Sequence, residues 1–338
     1  MSLPDFALPF VKQLPPEAAH TATIKGLKIG IGLPNIPPST WKTPIKLPRS
    51  GLQLSNPVGL AAGFDKNAEV HVSMARFGFG FLECGTVTPR PQEGNPKPRL
   101  FRLTEDKAVI NRMGFNNKGI DYLVKKVKNS SYKGVLGINI GKNKVTPNSQ
   151  ALSDYVHCFE KSHMLCDYIT VNISSPNTPD LRELQNDEQL TQLLTGMKQA
   201  QIKAQKEFDK YTPILVKISP DQSKDQLKFM TRQIIDSGMD GIICTNTTIS
   251  RDNLESDKKL TDQIGGLSGA PLTEKANETL RLVRQFSGST FPIIAVGGII
   301  SDKDAVEKIK LGANLVQIYT GFVYKGNGLI RDINNALK

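Results

Sequence analysis

The sequence has no apolar stretch that approaches the roughly 18 residues of a membrane-spanning helix, so we expect no transmembrane segment. Its N-terminus carries Asp5 and two early prolines and lacks the basic and then apolar pattern of a secretory signal, so we do not expect secretion. With 338 residues the chain is long enough for an α/β barrel of about 250 residues, with some chain to spare.

Cysteine is scarce, and no two cysteines form a Cys-x-x-Cys pair. Most of them lie in or beside predicted strands or helices, where a free cysteine behaves as a small buried hydrophobic side chain. We interpret all of them in this way, in a protein of a reducing compartment. The cysteines are Cys84, Cys158, Cys166 and Cys244.

Basic residues outnumber acidic ones, 43 to 32, but they never form a block of five. A formal charge of +11 alone would suit nucleic acid, anionic lipid or an acidic small molecule as a partner. Because the lysines are spread along the predicted helices, solvated helix faces account for most of the charge. We expect no nucleic-acid partner.

Several catalytic signatures are also missing. No His-Glu-x-x-His motif, cysteine cluster or carboxylate pair supports a metal site or a glycosidase. The dinucleotide fingerprint Gly-x-Gly-x-x-Gly follows no strand-like run. We expect all the histidines to lie in helices away from the strand ends: His20, His71, His157 and His163.

From about residue 50 onward, apolar strand-like runs alternate with helical stretches. Most runs are continuous, which is typical of parallel strands covered on both faces. Eight such units predict an α/β fold, a (β/α)8 TIM barrel, with a doubly wound sheet as the alternative. The predicted strands are 57–62, 80–87, 134–140, 168–173, 214–218, 241–245, 292–296 and 315–319. The predicted helices are 67–77, 118–128, 152–165, 188–208, 224–237, 274–286 and 302–311, with Ser223 and Ser301 as N-caps.

Residues 1–45 differ from the rest because prolines limit any helix to short pieces. We predict one helical piece at residues 6–14, a second after Pro15 and Pro16, and then a proline-rich linker. We therefore divide the chain into an N-terminal segment, 1–45, and a barrel domain, 46–338. On the residues alone the segment is either packing decoration or a membrane-surface element, and decoration is favoured. A long insertion, 89–117, is predicted to be a lid or a bridge to that segment.

The predicted strand ends carry amides, hydroxyls, glycines and lysines. The richest is 172–178, Asn-Ile-Ser-Ser-Pro-Asn-Thr, where Pro176 stops the strand. In a parallel barrel these ends meet at the mouth where the chemistry takes place. Gly297 and Gly298, with Thr320 after the next strand, predict that backbone N–H groups bind a phosphate there.

Two lysines, Lys66 and Lys217, follow or end strands, where burying a lysine is costly. Either each faces an anion such as a carboxylate or a flavin ring, or it forms a salt bridge, for which Asp65 is available; we favour the anion. Asparagines also gather at the strand ends and in the insertion, and their paired donors and acceptors suit planar amide, imide or carboxylate groups. They are Asn111, Asn139, Asn172, Asn177 and Asn246.

These motifs resemble dihydroorotate dehydrogenase, in particular its quinone-linked, membrane-associated class, over essentially the whole chain. The resemblance is carried by residues 59–66, 85–91, 111–117, 139–143, 172–178, 265–269 and 296–299. Two flanking positions depart from the family pattern, since Asp180 and Ala270 stand where relatives commonly have glycine and arginine.

The resemblance implies FMN-dependent oxidation of dihydroorotate to orotate in pyrimidine biosynthesis, with a ubiquinone-type or menaquinone-type quinone as electron acceptor. Ser175 would be the catalytic base, where soluble fumarate- or NAD-linked relatives carry cysteine. The implied FMN contacts are Ala62, Gly63, Phe64, Asp65, Lys66, Thr86, Asn139, Asn172, Lys217, Thr245, Gly269, Gly298, Tyr319 and Thr320. The implied substrate contacts are Lys66, Asn111, Arg112, Met113, Gly114, Phe115, Asn172, Asn177, Asn246 and Thr247.

The resemblance also implies a quinone tunnel between the N-terminal helices, with His20 and Arg102 as its polar residues. It thereby favours membrane contact over decoration for the N-terminal segment, whose basic residues would face anionic headgroups. We accordingly expect a monomer that is peripheral on the cytoplasmic face of the bacterial inner membrane. The alternatives are a fumarate- or NAD-linked FMN barrel enzyme and a non-enzymatic basic barrel scaffold.

Overall fold

The computed structural model describes residues 13–30, 33, 45–46, 51–178 and 180–338. The first predicted helix, except for its last two residues, and most of the proline-rich linker lie outside these ranges. Within them, no helix is long and apolar enough to cross a membrane. The predicted boundary between residues 45 and 46 falls within a short strand, Ile45–Lys46, and the division into two parts stays a prediction.

Eight parallel strands close into a barrel, which confirms the predicted fold class. Each barrel strand lies within its predicted run. In chain order the strands are β1 (Ile45–Lys46), β2 (Gln53–Leu54), β3 (Val58–Leu60), β4 (Phe81–Val87), β5 (Leu100–Leu103), β6 (Ala108–Asn111), β7 (Val135–Ile140), β8 (Tyr168–Asn172), β9 (Ile214–Ile218), β10 (Gly241–Cys244), β11 (Gly266–Gly269), β12 (Ile293–Val296) and β13 (Leu315–Ile318). The barrel order is β10-β12-β13-β3-β4-β7-β8-β9.

Helices surround the barrel, and all seven helices predicted between its strands are present. They are α1 (Pro16–Lys28), α2 (His71–Ala75), α3 (Ile120–Lys128), α4 (Ala151–Ser162), α5 (Asp187–Phe208), α6 (Lys224–Asp236), α7 (Lys258–Thr261), α8 (Thr273–Ser287), α9 (Asp302–Lys310), α10 (Thr320–Lys325) and α11 (Asn327–Ala336). Ser223 and Ser301 cap α6 and α9 as predicted, Ser301 in a capping box with Asp304. The helix α2 is shorter than predicted because Asp65 accepts the backbone N–H groups of Glu69 and Val70 and holds the preceding chain in turns.

Side chains from alternating strand positions fill the barrel interior in layers. Phe81 and Leu215 belong to an apolar layer, and Gly59 leaves room for the ring of Phe81, since a Cβ at Gly59 would lie 2.3 Å from that ring. The next inward positions toward the carboxyl ends of the strands are polar and buried. They are Glu83, Asn139, Lys217 and Gln317.

A second, antiparallel sheet stands beside the barrel mouth. The insertion forms the hairpin β5–β6, and β11 joins it by pairing Gly266 with Asn111 and Gly269 with Ala108. The sequence predicts a lid here, or a bridge to the N-terminal segment, but neither this sheet nor the helices α7, α10 and α11. The insertion is therefore anchored to the barrel through the segment after β10.

The helix α1 begins at Pro16, as the proline pair predicts, and lies against both the barrel and the insertion. Lys28 Nζ pairs with Glu69 at 2.8 Å, and Ser73 Oγ donates to the carbonyl of Leu27 at 2.8 Å. The expectation that every histidine lies away from the strand ends is wrong for His20. Because α1 packs across the mouth, the His20 ring sits 5.4 Å from the ring of Phe64, just beyond β3.

Candidate active site

An open cavity occupies the carboxyl ends of the barrel strands. Most of the residues singled out in the sequence line it, so the fold brings them together from separate strands; their individual roles stay predictions. The lining includes His20, Ala62, Gly63, Lys66, Thr86, Asn111, Met113, Gly114, Phe115, Asn172, Ser175, Asn177, Lys217, Thr245, Asn246, Thr247, Gly269, Gly298, Tyr319 and Thr320.

The loop after β8 presents Ser175 to the cavity. Its side chain is buried, and its Oγ accepts the backbone N–H of Asn177 at 3.2 Å. Thr178 Oγ1 is also buried and has no hydrogen-bond partner among the residues that the structure describes. The loop therefore offers a hydroxyl that faces the cavity and a second, unsatisfied hydroxyl three residues further on.

Side-chain amides and hydroxyls form a connected chain at the floor of the cavity. Asn139 Oδ1 accepts hydrogen bonds from Thr86 Oγ1 at 2.5 Å and from Asn172 Nδ2 at 3.1 Å. Asn172 Oδ1 in turn accepts from the backbone N–H of Ser174 at 3.2 Å, and Asn246 Nδ2 donates to Ser174 Oγ at 3.0 Å. Each amide is thus fixed in orientation by its neighbours.

The insertion closes one side of the cavity and is tied to the loop after β8. Asn177 Nδ2 donates to Asn111 Oδ1 at 3.1 Å, and Asn95 Nδ2 donates to the carbonyl of Asn177 at 3.0 Å. Phe115 lies in the same wall, with a left-handed backbone at φ 53°. Two loops from distant parts of the chain are therefore joined into one wall.

Lys66 is one of two lysines among the described residues that line the cavity. Its Nζ donates to the carbonyl of Gly63 at 2.5 Å, and no ion pair joins it to Asp65, whose oxygens bind backbone N–H groups instead. Burial, helped by the positive charge of Arg99, lowers the pKa of Lys66 to about 8. An anion in the cavity would stabilise its protonated form.

Lys217 is the second cation, and it is almost fully buried at the end of β9. Burial lowers its pKa, and the charge of Glu83 opposes that shift. Within the described part of the chain, no hydrogen bond or ion pair reaches its Nζ. A buried ammonium group facing a cavity without such a partner suits an anionic ligand atom.

The loops after β12 and β13 approach the start of α8 very closely. Gly298 has φ 75°, and a Cβ there would lie 2.3 Å from the Cα of Thr273, so the position requires glycine. Thr273 Oγ1 donates to the carbonyl of Gly298 at 2.8 Å, and Thr320 Oγ1 donates to Ser268 Oγ at 2.8 Å. These loops present mainly backbone to the cavity, as a phosphate site requires.

Five residues of the predicted sites do not line the cavity. Phe64 packs against Tyr319 and Phe322, Asp65 binds backbone N–H groups, and Asn139 lies one layer deeper, behind Thr86. Arg112 turns outward to Gln263 and stacks on Phe101. Arg102 donates to the carbonyl of Leu14 at 3.4 Å, away from His20 in the lining.

Sequence reasoning missed a charged clamp between the loops. Arg182 donates to the carbonyl of Ser174 at 3.1 Å and to that of Thr247 at 3.0 Å, and it pairs with Asp221 at 2.9 Å. Asp221 also accepts the backbone N–H of Ile249 at 2.9 Å. The loops after β8, β9 and β10 are therefore joined. An arginine just outside the strand-end motif was the only signal in the sequence.

One group of three potential metal ligands occurs in the described residues: Asp65, His71 and Cys84. It is buried outside the cavity lining. The ring nitrogens of His71 already contact the carbonyl of Ala68 at 3.1 Å and Ser130 Oγ at 2.6 Å. The lysines, amides and hydroxyls described above belong to the cavity lining, and this group does not.

The fold and the cavity define a (β/α)8-barrel enzyme whose site suits an anionic, planar ligand with several amide or carbonyl groups. The family model described as dihydroorotate dehydrogenase matches residues 46–338. The chain is 55% identical over 287 residues to a protein of Idiomarina loihiensis named dihydroorotate dehydrogenase (quinone), covering 85% of each chain. It is 48% identical to a protein of the same name from Saccharophagus degradans, covering 96% of each.

Solved structures give the same result. DHODH of Eimeria tenella in complex with ferulenol is 35% identical, with a TM-score of 0.87, over 96% of this chain and 90% of that one. The ligand-free form from the same organism has a TM-score of 0.85. The chain belongs to the dihydroorotate dehydrogenase family, a family of oxidoreductases.

Proposed function

We propose that the chain oxidises dihydroorotate to orotate with FMN as cofactor and passes the electrons to a membrane quinone, as a step of pyrimidine biosynthesis. The single observation that carries this proposal is the cavity in which Ser175, two lysines and the asparagines of the strand-end motifs meet. The name dihydroorotate dehydrogenase (quinone), borne by relatives aligned over most of the chain, supports the choice of acceptor.

The residues present fit an FMN cofactor. The ammonium of Lys217 faces the cavity without a hydrogen-bond partner in the described chain, and it would bind the electron-rich edge of the ring. The backbone around Gly298, with the hydroxyl of Thr320, would hold the phosphate. When bound, FMN supplies the acceptor for the hydride that leaves C6 of dihydroorotate.

The substrate is an anion with an imide edge. The cavity has a cation for the carboxylate and amide groups for the ring. Lys66 would bind the carboxylate, and the amides of Asn111, Asn172 and Asn246 would bind the ring. Thr247 Oγ1 is buried in the lining and has no hydrogen-bond partner among the described residues. A buried hydroxyl of this kind would be satisfied by a polar ligand.

Ser175 would accept the proton that leaves C5. Serine is a weak base unless a neighbour takes its own proton, so a relay is needed. The Oγ of Ser175 accepts a backbone N–H at 3.2 Å, which orients the side chain, and Thr178 Oγ1 is buried without a described partner. A proton relay through Thr178, directly or by way of a water molecule, would meet this need.

The N-terminal helix provides the route to the quinone. His20 on α1 lines the cavity, and burial together with the charge of Lys66 lowers its pKa to about 3, so its ring is neutral at physiological pH. A neutral, partly buried imidazole suits an uncharged quinone. We place the protein on the membrane surface through this helix, with Lys25 and Lys28 near the headgroups, on the cytoplasmic face of the inner membrane.

An acceptor screen tests the proposal. Protein reduced anaerobically with dihydroorotate should be reoxidised by a short-chain ubiquinone and not by fumarate or NAD. A variant that lacks residues 1–33 should keep the reaction with dihydroorotate and lose the reaction with quinone. Equal quinone turnover with and without the segment would refute the tunnel, and preferential reoxidation by fumarate or NAD would favour the soluble type of enzyme.

A further inference from the structure

Glu83 is a buried carboxylate to which the proposed function gives no role. It lies on β4 two residues beyond Phe81, and only 1% of its surface is exposed. No lysine or arginine of the described chain comes within the 4.0 Å of an ion pair. A carboxylate buried in this way is costly unless its hydrogen bonds and a compensating charge stabilise it.

Both oxygens of Glu83 accept hydrogen bonds from neutral donors. Oε1 accepts from Asn139 Nδ2 at 2.7 Å. Oε2 accepts from Tyr168 Oη at 3.0 Å and from Gln317 Nε2 at 2.9 Å. The donors come from three other barrel strands, so Glu83 joins four strands at the floor of the cavity.

An ionised carboxylate can only accept hydrogen bonds, and this property fixes the direction of the amide chain. Asn139 must turn its NH2 group toward Glu83, so its carbonyl oxygen faces Thr86 and Asn172. Asn172 then donates inward, and its own oxygen faces the loop that carries Ser175. The orientation of the Asn172 amide in the cavity lining thus depends on Glu83, which lies one layer below it.

Among the described residues, the charge of Glu83 has one opposite charge at this level of the barrel interior, that of Lys217. Lys217 is the buried cation of the cavity, and Glu83 is the acidic group that acts on it. Tyr168, the remaining titratable group that contacts Glu83, stays neutral because burial raises its pKa well above the usual value. Both side chains belong to the same buried polar layer of the barrel interior, so the two charges compensate each other although no ion pair joins them.

We propose that Glu83 is a positioning residue, which offsets the charge of Lys217 and sets the direction of the hydrogen bonds from Asn139 to Asn172. The effect on a flavin rests on the proposed function, whereas the coupling to Lys217 is a property of the chain itself. The Glu83→Gln variant is sterically matched. Gln317 Oε1 has no hydrogen-bond partner in the described residues and can accept from the new amide after Gln317 flips.

A double-mutant cycle in urea unfolding of the full-length protein tests the charge coupling. Glu83→Gln and Lys217→Met each leave one buried charge without compensation, whereas the double variant leaves none. If the two substitutions acted independently, their effects on the free energy of unfolding would add. We expect the unfolding constant of the double variant to be at least tenfold smaller than this additive value. A Glu83→Gln protein that folds only in the Lys217→Met background would be the extreme form of this result. Additive effects, or a double variant that fails to fold where a single variant folds, would overturn the proposal.

The flavin midpoint potential gives a second readout. Removing a buried negative charge should make the potential of Glu83→Gln more positive than that of the wild type. Tyr168→Phe is the matched control, since it removes one hydrogen bond to Glu83 and keeps the charge. No change in Glu83→Gln, or the same change in Tyr168→Phe, would overturn the proposal. A protein that binds no flavin would refute the proposed function instead, and the unfolding cycle would still decide on the coupling.

Discussion

Arg99 in the insertion binds Glu17 in the N-terminal helix through two nitrogens, with Nε 3.1 Å and Nη2 2.9 Å from Glu17 Oε1. Arg99 is buried, and its Nη1 also donates to the carbonyls of Glu93 at 2.6 Å and Asn95 at 2.9 Å. Because Asn95 in turn binds the loop after β8, this ion pair links the proposed quinone side of the cavity to the proposed substrate side.

Glu17→Gln should weaken the docking of α1, because it leaves the buried guanidinium of Arg99 without its counter-charge. We expect quinone turnover to fall about tenfold, the equivalent of roughly 1.4 kcal/mol, while the rate of flavin reduction by dihydroorotate changes little. The control is Lys97→Gln, since Lys97 is exposed and lies 3.6 Å from the same carboxylate. Unchanged quinone turnover in Glu17→Gln would show that this ion pair does not position the helix.

Ser175→Ala should remove the group that accepts the C5 proton. Loss of a general base slows the proton-transfer step by about 10²- to 10⁴-fold. Stopped-flow bleaching of the flavin by dihydroorotate measures this step. Reoxidation by quinone should be nearly unaffected, and it serves as the internal control for folding and cofactor content. Bleaching at the wild-type rate would mean that another group takes the proton.

The affinity for orotate should depend on pH through Lys66. Its pKa in the free site is about 8, so Lys66 is protonated below that value and attracts the carboxylate. A bound anion raises the pKa, and binding must therefore weaken as the pH rises through 8. We expect up to a tenfold increase in the Kd of orotate per pH unit above 8, and Lys66→Met should bind weakly with no such dependence. A constant Kd between pH 7 and 9 in the wild type would contradict this role.

Gly298→Ala should disrupt the proposed phosphate site, because the new Cβ would lie 2.3 Å from the Cα of Thr273. We expect purified Gly298→Ala protein to retain little flavin. Gly288→Ala is the matched control, since Gly288 has nearly the same φ, 73°, with no atom within 4 Å of the new Cβ. Gly288→Ala should lower the free energy of unfolding by about 1 kcal/mol through backbone strain, and the variant should keep its flavin. Equal flavin content in the two variants would place the phosphate elsewhere.

The barrel could be predicted from the sequence because its strands are buried on both faces and therefore read as continuous apolar runs. The N-cap serines could also be predicted from the sequence, since an N-cap side chain binds a backbone N–H within the first turn of its helix. The cavity could be predicted because the carboxyl ends of parallel strands meet on one rim, so Asn172, Lys217 and Asn246 had to be neighbours.

What could not be predicted depends on contacts between distant parts of the chain. The pairing of β6 with β11 joins residues 108–111 to 266–269, and no local pattern marks it. The position of His20 depends on how α1 crosses the mouth, and the inward turn of Asn139 depends on Glu83 below it. Asp180 has a left-handed backbone, at φ 55°, a conformation that favours glycine, which agrees with the glycine that the family resemblance implies at this position.

The most direct test of the account is an absorbance spectrum of the purified full-length protein, recorded without oxygen before and after adding dihydroorotate and then a quinone. We predict flavin bands that bleach with the substrate and return with the quinone. A colourless protein that cannot be reconstituted with FMN, or flavin bands that dihydroorotate leaves unchanged, would contradict the assignment of this cavity as the site of dihydroorotate oxidation.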